Sequence, residues 1–195
     1  MLIWMCALHC EAKPVIDFYK LKKSSNKNDF DVYKSKDIAC IVSGMGADNM
    51  TRAVSWVNSQ FNLNNNLCWI NLGVAGQHSM ATGTTVLISQ ARQHDNNESI
   101  LKITGIKHDF ESLPVISLSS EKTDYDEKAL FDMEAYAFFQ TTRKFCAEEL
   151  CQSIKVISDN RVTPPTRDKA KISALIAQNM VSISVFALKL QEQIH

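Results

Sequence analysis

The chain has 195 residues, enough for a hydrophobic core that needs no disulfide or metal, and we expect a single domain over residues 1–195. Its 21 Lys and Arg residues balance its 21 Asp and Glu residues, so the charge gives no reason to expect nucleic acid as a partner. No apolar run is long enough to span a membrane, and the six cysteines lack zinc-ligand spacing, which indicates reduced thiols in a cytoplasmic protein.

Apolar runs alternate with amphipathic segments along the chain. The runs predict strands in residues 2–8, 30–33, 38–43, 67–72, 84–89, 115–119 and 154–158. The first run lacks a basic leader, so we interpret it as a strand and not a signal peptide. Helical periodicity predicts helices in residues 12–21, 48–60, 168–178 and 181–193, and another from Ala135 onward. This order predicts an α/β fold with a largely parallel or mixed central sheet.

Polar and glycine residues follow several predicted strands. They include Glu11, Gly44 and Gly46, Gly73 and Gly76, and Asp159. Ligands of such sheets bind beyond the carboxyl ends of the strands, where glycine permits a close approach of the backbone. We therefore expect the ligand site at this edge of the sheet.

The segment Asp132-Met133-Glu134 stands where an extended run passes into the predicted helix from Ala135. Glu134 can complement the positive end of the helix dipole, or it can face a pocket. The strand-end rule brings it together with Glu11 and Asp159. Because gathered carboxylates repel one another, the group predicts a small-molecule site that uses negative charge or proton transfer.

Other motifs are less informative. Gly44-x-Gly46 lacks the third glycine of a dinucleotide-binding loop, since Asn49 stands at that position. Gly73-x-x-Gly76 is consistent with a tight turn. His94 and Asp95 are adjacent in an extended segment, so their side chains would point to opposite faces and would not form a catalytic dyad.

Six motifs occur in an order that resembles the nucleoside phosphorylase/nucleosidase superfamily. They are Ala7-Leu8-x-x-Glu11, Val42-Ser43-Gly44-Met45-Gly46, Asn71-Leu72-Gly73-Val74-Ala75-Gly76, Ser89-Gln90-Ala91-Arg92-Gln93-His94-Asp95, Asp132-Met133-Glu134-Ala135 and Ile157-Ser158-Asp159. The set reaches to about Pro165 and is most similar to the methylthioadenosine/S-adenosylhomocysteine nucleosidase branch. The short middle segment looks like the hopanoid-associated nucleosidases.

This resemblance implies a three-layer α/β/α fold with a mixed sheet, no metal or other cofactor, and a homodimer. The implied reaction is hydrolysis of the N-glycosidic bond of a purine nucleoside, with 5′-modified adenosine as the expected substrate. Glu11 would activate the attacking water, Asp159 would protonate the purine at N7, and Met133 and Glu134 would hold the ribose. The other binding residues implied by the motifs are Gly73, Val74, Ala75 and Ser158.

Two alternatives remain open. A phosphorylase would need groups that hold phosphate near the first strand, but residues 7–13 contain neither arginine nor glycine, and Glu11 would repel the anion. A member that binds a nucleoside without cleaving it is suggested by Val74, which stands where the nucleosidase has a serine that positions water. Lys155 likewise stands where the nucleosidase has an arginine.

The segment between Asp95 and Asp132 is shorter than its counterpart in the nucleosidase, where that counterpart supplies an aromatic residue that packs against the base. Phe110 and Tyr125 are the candidates for this contact, and Asp132 itself is expected to have no role in the site.

Overall fold

The computed structural model describes residues 1–24, 29–61, 67–94, 96–120, 125 and 127–194. Five helices occur in these residues: α1 (His9–Tyr19), α2 (Ala47–Phe61), α3 (Ala135–Thr142), α4 (Lys169–Ala177) and α5 (Met180–Gln191). The strands are β1 (Leu2–Cys6), β2 (Lys22–Lys23), β3 (Asp31–Lys34), β4 (Ile38–Val42), β5 (Cys68–Gln77), β6 (Thr85–Gln93), β7 (Asn96–Lys102), β8 (Glu111–Ser117), β9 (Leu130–Asp132) and β10 (Cys151–Asp159).

The strands form one mixed sheet. β1 lies parallel between β4 and β5, and β5 is also parallel to β10. β10 pairs antiparallel with β6, β6 pairs with β8, and β8 pairs with β9, whose other neighbour is again β5. Five strands therefore close into a ring, while β4, β3 and β2 extend the sheet beyond β1. The parallel strands β1, β5 and β10 end at the same edge, which is where we expected the ligand site.

Helices cover both faces of the sheet. Because successive side chains of a strand point to opposite faces, Leu2 and Trp4 of β1 belong to one core and Ile3 and Met5 to another. The first core contains residues of α1, α4 and α5, and the second contains residues of α2 and α3. The expected three-layer α/β/α architecture with a mixed sheet is confirmed.

Several boundaries differ from the sequence prediction. α1 begins at His9 because the Glu11 carboxylate accepts a hydrogen bond from the Leu8 amide at 2.9 Å, which stabilises an earlier helix start. β5 continues through Gly73 and Gly76, so the predicted tight turn is wrong, since β10 pairs with the strand at both glycines. The sequence analysis missed the short β2 and β9 and the polar β7.

Within the described ranges, no single helix has the length and apolar character needed to cross a membrane. The bent pair of Lys169–Ala177 with Met180–Ile194 meets the criterion only when the two helices are counted together.

Candidate active site

A cavity of about 160 Å³ lies at the carboxyl ends of β1, β5 and β10. It brings together nearly all of the residues that the motifs indicated. Glu11, Val74, Ala75, Met133, Glu134, Ser158 and Asp159 line it. Gly73 does not line the cavity but lies directly beside Glu11, where a Cβ atom would stand only 2.7 Å from the Glu11 Oε1 atom. The strand-end rule therefore placed the three acids in one cleft.

Glu11 is fixed by two backbone amides. Its Oε1 atom accepts from the Val74 amide at 2.9 Å and its Oε2 atom accepts from the Leu8 amide at 2.9 Å. The side chain is buried at the start of α1, and burial raises the pKa of Glu11, while the charge of Lys155 and the two amides oppose that rise. The carboxylate is held in one orientation toward the cavity.

Glu134 precedes α3 but does not cap it. Its Oε1 atom accepts from the Gly46 amide at 2.7 Å, and Gly46 adopts a φ of +93°, which favours glycine at this position. Burial raises the pKa of Glu134 to about 7, with the charge of Asp132 adding to the effect and that of Lys155 opposing it. Of the two interpretations, the pocket-facing acid is therefore the correct one.

Asp132 has a definite role, contrary to the sequence prediction. Its Oδ2 atom accepts from the Ala135 amide at 2.8 Å, so Asp132 and not Glu134 satisfies the start of α3. The same atom lies 2.8 Å from the Lys155 Nζ atom, and Ser117 donates to Oδ1 at 2.6 Å. The prediction was wrong because it considered Asp132 without its partner on β10.

Lys155 supplies a positive charge beneath the cavity. Its side chain is only 1% exposed. Burial alone lowers the pKa of Lys155, but the charges of Asp132 and Glu134 and the hydrogen bond to Asp132 outweigh that effect, and the net pKa is raised. The lysine therefore stays protonated and offsets part of the negative charge of the acids.

Asp159 ends β10 and has two hydroxyl partners. Ser158 donates to Oδ1 and Tyr125 donates to Oδ2. The Tyr125 ring packs on Phe131 with ring centroids 5.4 Å apart and approaches the backbone of Gly76. Of the two aromatic candidates, Tyr125 lines the cavity, whereas Phe110 does not and packs on Phe186 at 5.8 Å.

The sequence analysis missed other lining residues because they come from separate segments of the chain. Met45 lies between the two glycines of a noted motif, and Ala7 and Leu8 begin another, whereas no sequence signal marked the remaining ones. These are Leu118, Ser120, Phe131, Pro165, Thr166 and Ile172.

The described lining of the cavity contains no histidine. His94 does not line the cavity, its amide bonds to the Ser117 carbonyl at 3.0 Å, and Asp95 lies outside the described residues. Among the residues with described positions, no cluster of three or more His, Cys, Asp or Glu side chains could hold a metal ion.

Comparison with known proteins gives similarity in structure alone. No protein-family model and no curated protein sequence matches the chain. A variant of the methylthioadenosine/S-adenosylhomocysteine nucleosidase (MTAN) from Chlamydia trachomatis, bound to methylthioadenosine (MTA), is 23% identical. Its TM-score is 0.69, over 95% of this chain and 98% of that one. The corresponding nucleosidase from Colwellia psychrerythraea, in complex with adenine, is 14% identical. Its TM-score is 0.75, over 97% of this chain and 95% of that one.

A futalosine hydrolase mutant from Helicobacter pylori is also similar, at 12% identity and a TM-score of 0.74 over 96% of this chain and 98% of that one. Identities this low establish the fold and not the activity. The chain therefore has the same α/β/α fold as these nucleosidases and this futalosine hydrolase.

Proposed function

We propose that this protein hydrolyses the N-glycosidic bond of a purine nucleoside and releases the free base, with a 5′-modified adenosine as substrate. The observation that carries the proposal is the convergence of Glu11, Glu134 and Asp159 on one cavity in three different environments. The similar nucleosidases bound to MTA and to adenine support the choice of substrate class.

Asp159 would act as the general acid on the purine. Protonation of the leaving base at N7 withdraws electrons from the glycosidic bond, and such general acid catalysis contributes about 10²–10⁴-fold. Asp159 is the last residue of β10, and the Ser158 hydroxyl donates a hydrogen bond to its Oδ1 atom. Because Asp159 lines the cavity, the base would bind beside it.

Glu11 would act as the general base on water. Each of its oxygens accepts one hydrogen bond from a backbone amide, which leaves a lone pair on each oxygen for a water molecule. Burial raises the pKa of Glu11, and the charge of Lys155 and these amides oppose that rise, which helps to keep the ionised form that a base requires. Since Val74 has no hydroxyl, its amide orients the carboxylate but its side chain gives the water no hydrogen bond.

Glu134 and Met133 would hold the ribose. The Oε1 atom of Glu134 accepts a hydrogen bond from the Gly46 amide, so its Oε2 atom can accept one from a ribose hydroxyl. As the glycosidic bond breaks, positive charge develops on the ribosyl ring, and the surrounding carboxylates stabilise it. The same negative charge would repel a phosphate nucleophile.

Water is therefore the acceptor favoured by the charge of the cavity. Four carboxylates line it, from Glu11, Asp132, Glu134 and Asp159, and its described lining includes no Lys or Arg side chain. Lys155 lies outside the lining and is already paired with Asp132. A phosphorylase would need a cation directed toward the nucleophile.

The test is chromatographic detection of free base after incubation with a panel of adenosine derivatives, with and without phosphate. We expect adenine release without phosphate and no stimulation by it. Release that requires phosphate would make the protein a phosphorylase. No release in either condition would exclude catalysis.

The small cavity and Val74 favour a second candidate, a protein that binds a nucleoside without cleaving it. Calorimetry that shows tight binding of a nucleoside together with no base release would support this function over hydrolysis.

We also propose that the chain forms one domain, assembles as a homodimer and works in the cytoplasm. The dimer has a direct test, because a mass in solution equal to the 21.9 kDa of one chain would reject it.

A further inference from the structure

Tyr125 fills part of the cavity that the proposed reaction would use. Its side chain is only 2% exposed although it lines the cavity, and its hydroxyl donates to Asp159, the proposed acid. A Cβ atom at position 76 would overlap the Tyr125 hydroxyl oxygen, so only glycine leaves room for this contact. The tyrosine hydroxyl therefore occupies the place beside Asp159 that a base would take.

The volume of the cavity agrees with this arrangement. The remaining space is about 160 Å³, whereas ligand pockets typically measure about 300–1,000 Å³. A nucleoside therefore needs more room than the structure provides while Tyr125 points inward. Movement of the tyrosine side chain would enlarge the cavity on the side of Asp159, where the base must bind.

The backbone of Tyr125 is held by hydrogen bonds that are separate from the contacts of its side chain. The carbonyl oxygen of Tyr125 accepts from the His78 Nδ1 atom at 2.8 Å and from the Arg161 Nε atom at 3.2 Å. Neither contact involves the ring, so a change in the side-chain torsions of Tyr125 leaves both of them intact. To uncover Asp159, the ring must give up its packing against Phe131.

We propose that Tyr125 occupies the base subsite in the free protein and must leave Asp159 before a base binds. Tyr125 is then a specificity-determining residue, because a base binds only when its contacts replace the tyrosine hydroxyl on Asp159. This inference rests on the assignment of Asp159 to the base side of the cavity, which belongs to the proposed function.

The test compares adenine binding to the wild type and to Tyr125→Phe by calorimetry. The variant keeps the ring but not the hydroxyl. We expect it to bind adenine at least ~10-fold more tightly, the order expected when a hydrogen bond to a charged group no longer competes.

The matched control is Tyr19→Phe, which removes a hydroxyl from a tyrosine on α1 that packs on Trp4 and does not line the cavity. It should bind adenine as the wild type does. Tyr125→Leu also lacks the hydroxyl and replaces Tyr125→Phe if that protein does not fold.

Equal or weaker adenine binding in the Tyr125 variants, or no adenine binding in any of the proteins, would overturn the inference. Tighter adenine binding in the variant without base release by the wild type would uphold the inference and reject the proposed hydrolysis.

Discussion

Replacement of Glu134 by glutamine should remove part of the pH dependence of stability. Burial and the charge of Asp132 raise the pKa of Glu134 from its usual 4.5 to about 7 in the folded protein. Between these two pH values the folded protein retains a proton that the unfolded chain has released. The free energy of unfolding therefore falls as the pH rises through this window, because the unfolded state binds fewer protons.

The size of the effect follows from the same two pKa values. Their difference corresponds to about 3 kcal/mol, which is fully developed above about pH 7 and absent below about pH 4.5. Glutamine keeps an oxygen that can accept the Gly46 amide but carries no charge. Glu134→Gln should therefore match the wild type at about pH 4 and exceed its stability by up to about 3 kcal/mol at about pH 8.

Urea unfolding measured from about pH 4 to about pH 8 checks this prediction. The control is Glu192→Gln, which removes an exposed acid near the chain end and should leave the pH dependence of the wild type unchanged. If Glu134→Gln and the wild type lose stability in parallel as the pH rises, then the buried charge of Glu134 is not the cause of the loss, and the electrostatic account of the site is incorrect.

Three further predictions concern neighbouring contacts. Lys155→Met should destabilise the protein by about 3–5 kcal/mol in urea because Asp132 loses its buried partner; wild-type stability would show that the pair is dispensable. Gly73→Ala places a Cβ atom 2.7 Å from the Glu11 Oε1 atom, so kcat for base release should fall while adenine binding persists, and an unchanged kcat would contradict a fixed role for Glu11. Asp168→Ala removes the cap of α4, in which Asp168 accepts from the Ala170 amide at 2.9 Å, and should lower the free energy of unfolding in urea by about 1 kcal/mol; an unchanged free energy of unfolding would contradict the capping role.

The central strands could be predicted because their signal is local. β1, β4 and β10 are apolar on both faces, as strands buried between two helical layers must be. β5 was predicted too short because two glycines resemble a turn when their neighbours in space are unknown. Its pairing with β10 keeps the strand extended through Gly73 and Gly76.

The convergence of the acids could be predicted from a rule of topology. Glu11 and Asp159 follow strands that run in the same direction, so their positions at one edge required no knowledge of side-chain contacts. The role of Asp132, which pairs with Lys155 and accepts a hydrogen bond at the start of α3, could not be predicted from this rule. Its partner Lys155 lies on a different strand, and only the packed structure brings the two side chains together.

The contact of Tyr125 with Asp159 was also beyond the sequence. Nothing local to Tyr125 distinguishes it from a core aromatic residue, and its segment is the one in which the motifs give no alignment. The contact depends on the lack of a side chain at Gly76 and on the ring of Phe131, which come from two other strands.

The central claim is that Glu11 and Asp159 carry out hydrolysis of a nucleoside, and the most direct measurement is the rate of adenine release from 5′-methylthioadenosine in phosphate-free buffer. The wild type should release adenine, and Glu11→Gln and Asp159→Asn should each be slower by at least ~10²-fold while remaining folded by circular dichroism. Release at the wild-type rate by both variants, or no release by the wild type from any adenosine derivative, would contradict the account.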